Sequence, residues 1–236
     1  MLAVSMLMVL IAWGALTAPW QPSALRLLVT AVIGMLAPLF WPGTAATALR
    51  TAATVVGWSV AAAALAATAL LVMGGPGQAF RPVIAAGVML ILVLVPVLAL
   101  AAALETHWRR RAVDAQDARE QAGRVAATTL ALLGSLPLWF GPLAERLAAR
   151  HAWVVDAVVG ISPLTHLAVA SRNDLLRNEW FYQHSNLASL QVSYPDLAWV
   201  AGSYGSVCAV LALFALAFGR SPVRIDDTTR SRSLQE

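Results

Sequence analysis

Apolar runs of roughly 18 or more residues recur along this chain, and that pattern is the signature of transmembrane helices. Of its 236 residues, 59% are hydrophobic and 12% are charged. A soluble domain carries about 25% charged residues. The reading is an all-α polytopic membrane protein. A chain of this length holds one membrane domain, residues 1–219, and a polar tail, 220–236, too hydrophilic to pack.

The spacing predicts six spans: Met1 to Ala18, Leu25 to Trp41, Ala52 to Met73, Pro82 to Leu104, Val125 to Leu143 and Trp199 to Phe218. Pro19, Trp20, Gln21 and Pro22 mark the first turn, and Gly74-Gly75-Pro76-Gly77 a tight one after the third span. The first span is expected to be retained. No arginine precedes it, and a proline follows the small residues where a signal peptide would be cut.

All sixteen Lys/Arg positions are arginine. A phosphate-binding P-loop and Schiff-base chemistry both require lysine, so neither is available here. Any nucleotide must be bound by another chain. The single cysteine, Cys208, lies within the last apolar run. It forms no internal disulfide and nucleates no zinc cluster. The basic balance does not point to nucleic acid, because the arginines flank the spans and act as topology signals. With the N-terminus inside, Arg50, Arg109, Arg110, Arg111, Arg119, Arg124, Arg220, Arg224, Arg230 and Arg232 are cytoplasmic. Arg26, Arg81, Arg146, Arg150, Arg172 and Arg177 are outside. Both termini are then cytoplasmic, and the arginine- and alanine-rich composition suggests a bacterial inner-membrane protein.

Glu105 to Arg124 mixes charges at helical spacing, with Glu105/Arg109 and Glu120/Arg124 each four apart. It reads as a helical extension into the cytoplasm, either a solvated linker or a docking element. Trp20, Trp41, Trp108, Trp139 and Trp199 sit at span ends, where indole rings anchor at the bilayer interface.

The long external loop, 144–198, is where the chain departs from apolar filler. Loops of this length carry function or their own structure. Its first part, Ala152 to Ala170, is apolar but contains Asp156, Ser162, Pro163 and His166. A re-entrant or interfacial helical pair fits such a run better than a clean span. Ser162 suits a helix cap and Pro163 the first helical position, predicting a helix from Pro163 to about Trp180. On it, His166, Asn173 and Arg177 form one polar stripe, and Thr165, Arg172 and Glu179 another. His166, Asp174, Glu179 and His184 match no metal-ligand spacing, and no metal or other cofactor is expected.

The stretch Ser162-Pro163-Leu164-Thr165-His166-Leu167 through Arg172 resembles the region between the fifth and sixth spans in membrane subunits of type-2 ABC transporters. The resemblance covers roughly Leu130 to Phe218. It implies a permease with no catalytic residue, working as a homodimer or heterodimer in lipid and driven by a separate ATP-binding subunit, in most cases as an exporter. The external gate would then comprise Ser162, Pro163, His166, Asn173, Asp174, Arg177, Glu179 and His184. The ATPase would dock on Arg50, Arg109, Arg110 and Arg111. Two other readings stand beside it. One is a membrane enzyme using His166, Asp174, Glu179 and His184 at the external interface. The other is an accessory subunit that does not transport.

Overall fold

The computed structural model describes residues 22–73, 79–111, 113–140, 143, 146–147, 153–175 and 194–219; the side chains of Pro22, Leu197 and 211–219 are excepted. The first expected span, the glycine-rich turn, Arg177, Glu179, His184 and the tail lie outside these residues. Every regular element among the described residues is helical. Helix α1 is Pro22–Leu36, continued by a 3₁₀ turn, Ala37–Phe40. Helix α2 is Ala48–Met73, α3 Phe80–Arg110 and α4 Ala115–Gly134. The short α5 is Leu136–Trp139, α6 is Trp153–Ile161, α7 is Pro163–Ala170 and α8 is Leu197–Gly219.

Three helices are long and apolar enough to cross a bilayer among the described residues: Ser23–Phe40, Ala48–Met73 and Phe80–Arg110. The count becomes four if α6 and α7, which meet at 76°, are taken as one broken span. At 1.5 Å per residue α3 is about 46 Å long, well beyond a ~30 Å hydrocarbon core. Its surplus is the polar end, Glu105–Arg110.

Helix α3 is the hub, in contact with α1, α2, α4, α7 and α8. Leu90, Leu94 and Leu98 are buried along it, and Leu70 of α2 is buried too. Between them lie Ala62, Ala63 and Ala66 of α2 and Ala86 and Ala101 of α3, all buried. Lipid tails are as apolar as leucine, so burial alone does not drive such helices together. Close approach of small residues does, through dispersion contacts. The tightest approach is at Gly123 of α4, where an added Cβ would lie 2.5 Å from the backbone oxygen of Pro38 in the 3₁₀ turn.

Two expectations need correction. The fifth span, Val125 to Leu143, is not one continuous helix. Helix α4 ends at Gly134, the Ser135 hydroxyl turns back to the Ala131 carbonyl (2.8 Å), and Pro137 lies within the new turn α5. The first half of α4, with Asp117, Arg119, Glu120 and Arg124, is polar. Nor is Glu105 to Arg124 a single extension. The chain reverses between Arg110 and Ala115, and the Asp114 carboxylate caps α4 by accepting from the Gln116 N–H (2.9 Å). The pairing of Glu120 with Arg124 (3.1 Å) is as expected on α4.

Glu105 itself is fully buried, and Trp41 nearly so. The Trp41 indole donates to Glu105 Oε2 (2.8 Å), as does the Thr44 amide (2.9 Å). The Thr44 hydroxyl and the Arg109 guanidinium engage Oε1 (3.2 and 2.7 Å). Trp41 is thus a buried strut, not an interfacial anchor. One carboxylate draws the 41–44 turn against the end of α3, and Gly43, at φ +100°, gives the turn its left-handed step.

Two substitutions separate these contacts in thermal melts of the purified protein. Gly123→Ala should lower the midpoint despite alanine's better helix propensity, whereas Gly57→Ala, where an added Cβ meets nothing within 4 Å, should leave it level or raise it. Equal effects would remove the Pro38 contact as the cause. Glu105→Ala should cost about 1–3 kcal/mol for each buried donor left unpaired, chiefly the Trp41 indole, with Glu105→Gln losing less. A neutral Glu105→Ala would show that the clamp is dispensable.

Candidate functional site: the helix break before the last long helix

A continuous helix through 153–170 would need an N–H at position 163 for the Val159 carbonyl and one at 164 for the Gly160 carbonyl. Pro163 has no N–H, and the 76° bend carries Leu164 out of line. The next two side chains replace the missing donors. The Thr165 hydroxyl lies within hydrogen-bond distance of the Val159 carbonyl and of the Ser162 carbonyl (2.7 Å). His166 Nε2 donates to the Gly160 carbonyl (3.0 Å).

That bond fixes the imidazole. A carbonyl only accepts, so Nε2 carries hydrogen, and in the neutral ring Nδ1 accepts from the Tyr204 hydroxyl of α8 (2.9 Å). The two rings meet edge-on, with centroids 5.4 Å apart. Beside them the Trp199 ring lies against Gly160, where a Cβ would come within 3.5 Å of it. Helix α8 therefore grips the break through Tyr204 and Trp199. Both aromatics lie far along the chain from the break, and nothing in the sequence pairs them with it.

Ser162 occupies the N-cap position of α7 but does not cap it. Its hydroxyl is buried and donates to the Gly134 carbonyl at the end of α4 (2.9 Å), one of the acceptors a helix terminus leaves open. Pro163 takes the early helical position expected of it.

Helix α7 does not continue to Trp180. It stops at Ala170, and Arg172 adopts φ +54°. The Arg172 N–H reaches the Val169 carbonyl (3.0 Å) and the Asn173 N–H the Ala168 carbonyl (2.9 Å). This is a Schellman C-cap with arginine where glycine is usual. It removes Asn173 from the expected stripe with His166. A buried arginine from the other end of the sequence completes the cap: Arg26 Nε and Nη2 both donate to the Ser171 carbonyl (3.1 and 3.0 Å). Asn173 Nδ2 donates to Ser23 Oγ at a long 3.4 Å. Asp174 accepts from the Tyr194 hydroxyl (2.8 Å), and Leu175 turns back onto Val155, Val158 and Val159 of α6.

Of the expected gate residues, Ser162, Pro163 and His166 are therefore at the break, buried. Asn173 and Asp174 are beyond the cap, at the surface end of α7. Arg177, Glu179 and His184 lie outside the described residues. Among the described residues no group of three His, Cys, Asp or Glu side chains is placed to hold a metal. His166 and Asp174 each have a partner of their own. At the opposite end of the bundle, Arg50, Arg109, Arg110 and Arg111 are exposed, with Arg109 tied to Glu105.

Thr165→Val keeps the shape of the side chain and removes the donor, and it should destabilise by about 1–3 kcal/mol in equilibrium unfolding. In a Pro163→Ala background, which restores a backbone N–H facing Val159, the same change should cost less. Additive costs in this double-mutant cycle would show that Thr165 does not stand in for the missing amide.

Compared with known protein families, curated proteins and solved structures, the chain matches none.

Proposed function

We propose that this chain is the permease subunit of an ABC-type transporter, an exporter driven by a separate ATPase and working as a pair of permease units. The observation that carries the reading is the α6–α7 break, which lies between α5 and the last long helix. Its hydrogen bonds are closed internally, so it stays intact at membrane depth. Leu175, close after α7, packs on α6. The chain thus turns back to where it entered, which favours a re-entrant pair over a broken span. Among the described residues the membrane crossings are then α1, α2, α3, the α4–α5 pair and α8. The bundle end carrying Arg50 and the α3–α4 turn faces the cytoplasm with both termini, in a bacterial inner membrane.

Transport in this reading needs no catalytic residue in the chain. The partner ATPase binds and hydrolyses ATP, and its state biases which side of the path is open. Arg50, Arg110 and Arg111 share the cytoplasmic end and form the docking surface, next to the turn that Glu105 holds. The α7 exit, with Asn173 and Asp174, faces outside, where a gate contacts both water and the bundle.

The test uses Asn173→Cys in a Cys208→Ala background, in cells that express the partner ATPase. An impermeant maleimide added outside should label position 173. The labelling rate should change when the ATPase is trapped with nucleotide, because a gate has different contacts in its two states. Labelling from the cytoplasmic side alone would overturn the topology. An unchanged rate with trapped ATPase would overturn the gate.

A further inference from the structure

The α7 C-terminus brings together two arginines, Arg26 and Arg172, that have no ion pair among the described residues. Arg26 lies in the first turn of α1, about 4–5 Å along the helix from Ser23, where the apolar segment begins. It is 7% exposed. Its guanidinium donates twice to the neutral Ser171 carbonyl, and Arg172 is the next residue after that acceptor. Among the described residues the ion pairs are Glu105 with Arg109 and Glu120 with Arg124, both at the opposite end of the bundle. Asp174, the nearest acid in sequence, accepts from Tyr194. A buried arginine beside a second cation is costly without an anion.

Two further observations belong to the same place. The Ser171 hydroxyl is fully buried and is the buried side-chain atom that lacks a hydrogen-bond partner among the described residues. Arg172 occupies a left-handed position at which glycine or asparagine would be less strained. The backbone gains nothing from arginine at this position, and its guanidinium is exposed beside the buried Ser171.

We infer that Arg26, Arg172 and the Ser171 hydroxyl form a binding site for a phosphate-bearing anion at the level of the lipid headgroups. Guanidinium groups suit phosphate oxygens through paired N–H donors. An oxygen placed there would give the buried guanidinium a counter-charge and Ser171 an acceptor. The phosphate belongs either to an anionic phospholipid or to a free anion. Binding would brace α1 against the α7 cap, holding the break in place, and it does not depend on the transport reading.

The experiment compares melting midpoints of the full chain in nanodiscs of phosphatidylcholine with and without phosphatidylglycerol. A second arm uses detergent with inorganic phosphate or chloride at equal ionic strength. Near saturation, a rise of about 5–10 °C with the anionic lipid is expected. Arg172→Gly should raise the midpoint in phosphatidylcholine, because it relaxes the left-handed residue, yet abolish most of the lipid-dependent rise. Arg81→Gln, an exposed arginine at the start of α3, should keep that rise. A rise with inorganic phosphate that is lost in Arg172→Gly identifies a free anion as the source. A rise with phosphatidylglycerol alone identifies the lipid. An Arg172→Gly variant that keeps the full rise, or no rise in either arm, would overturn the site.

Discussion

Backbone carbonyls have no water to turn to inside a bilayer, and the arrangement around 159–172 follows from that constraint. A proline and a sharp bend open the carbonyls of Val159 and Gly160, and a helix end opens that of Ser171. Each is met by a side chain with a donor of suitable reach: Thr165, His166 and Arg26. Ser162 does the same for Gly134 at the end of α4. The polar residues of this segment are first the means by which a broken helix is tolerated. His166 is buried for that reason, and its second nitrogen ties the break to α8.

The two ends of the bundle use the same economy with different chemistry. At one end a buried carboxylate, Glu105, gathers the donors of Trp41 and Thr44 and the charge of Arg109. At the other a buried guanidinium, Arg26, serves a helix-terminal carbonyl. The carboxylate has its counter-charge within the chain. The guanidinium has only a partial negative charge, the end of the α7 dipole.

Hydrophobic periodicity in the sequence located the apolar parts of α2 and α3, because long apolar runs have no alternative structure, but it stopped six residues short of the polar end of α3. It also located the break, since Ser162-Pro163 cannot continue a helix smoothly. Where α7 ends was not legible. A Schellman cap with arginine in the left-handed position contradicts residue preference, and Arg26, which stabilises it, is remote in sequence. Glu105 was misread for a related reason. Its spacing from Arg109 is that of a surface pair, and only the 41–44 turn folded over it makes it internal. The fifth span failed as one helix because apolar content said nothing about Ser135 and Pro137. Of the eight expected gate residues, three (Arg177, Glu179 and His184) lie outside the described residues.

The bond between Arg26 and Ser171 spans 145 residues. At a synthesis rate of about 5–20 residues per second, Ser171 is made roughly 7–30 s after Arg26. Helix α1 thus waits without its acceptor for longer than local helix formation takes by many orders of magnitude. During that interval the Arg26 guanidinium has no Ser171 carbonyl to bond. Helix α1 therefore exists before the helix end that it finally caps, and that cap can close only when the second half of the chain has arrived.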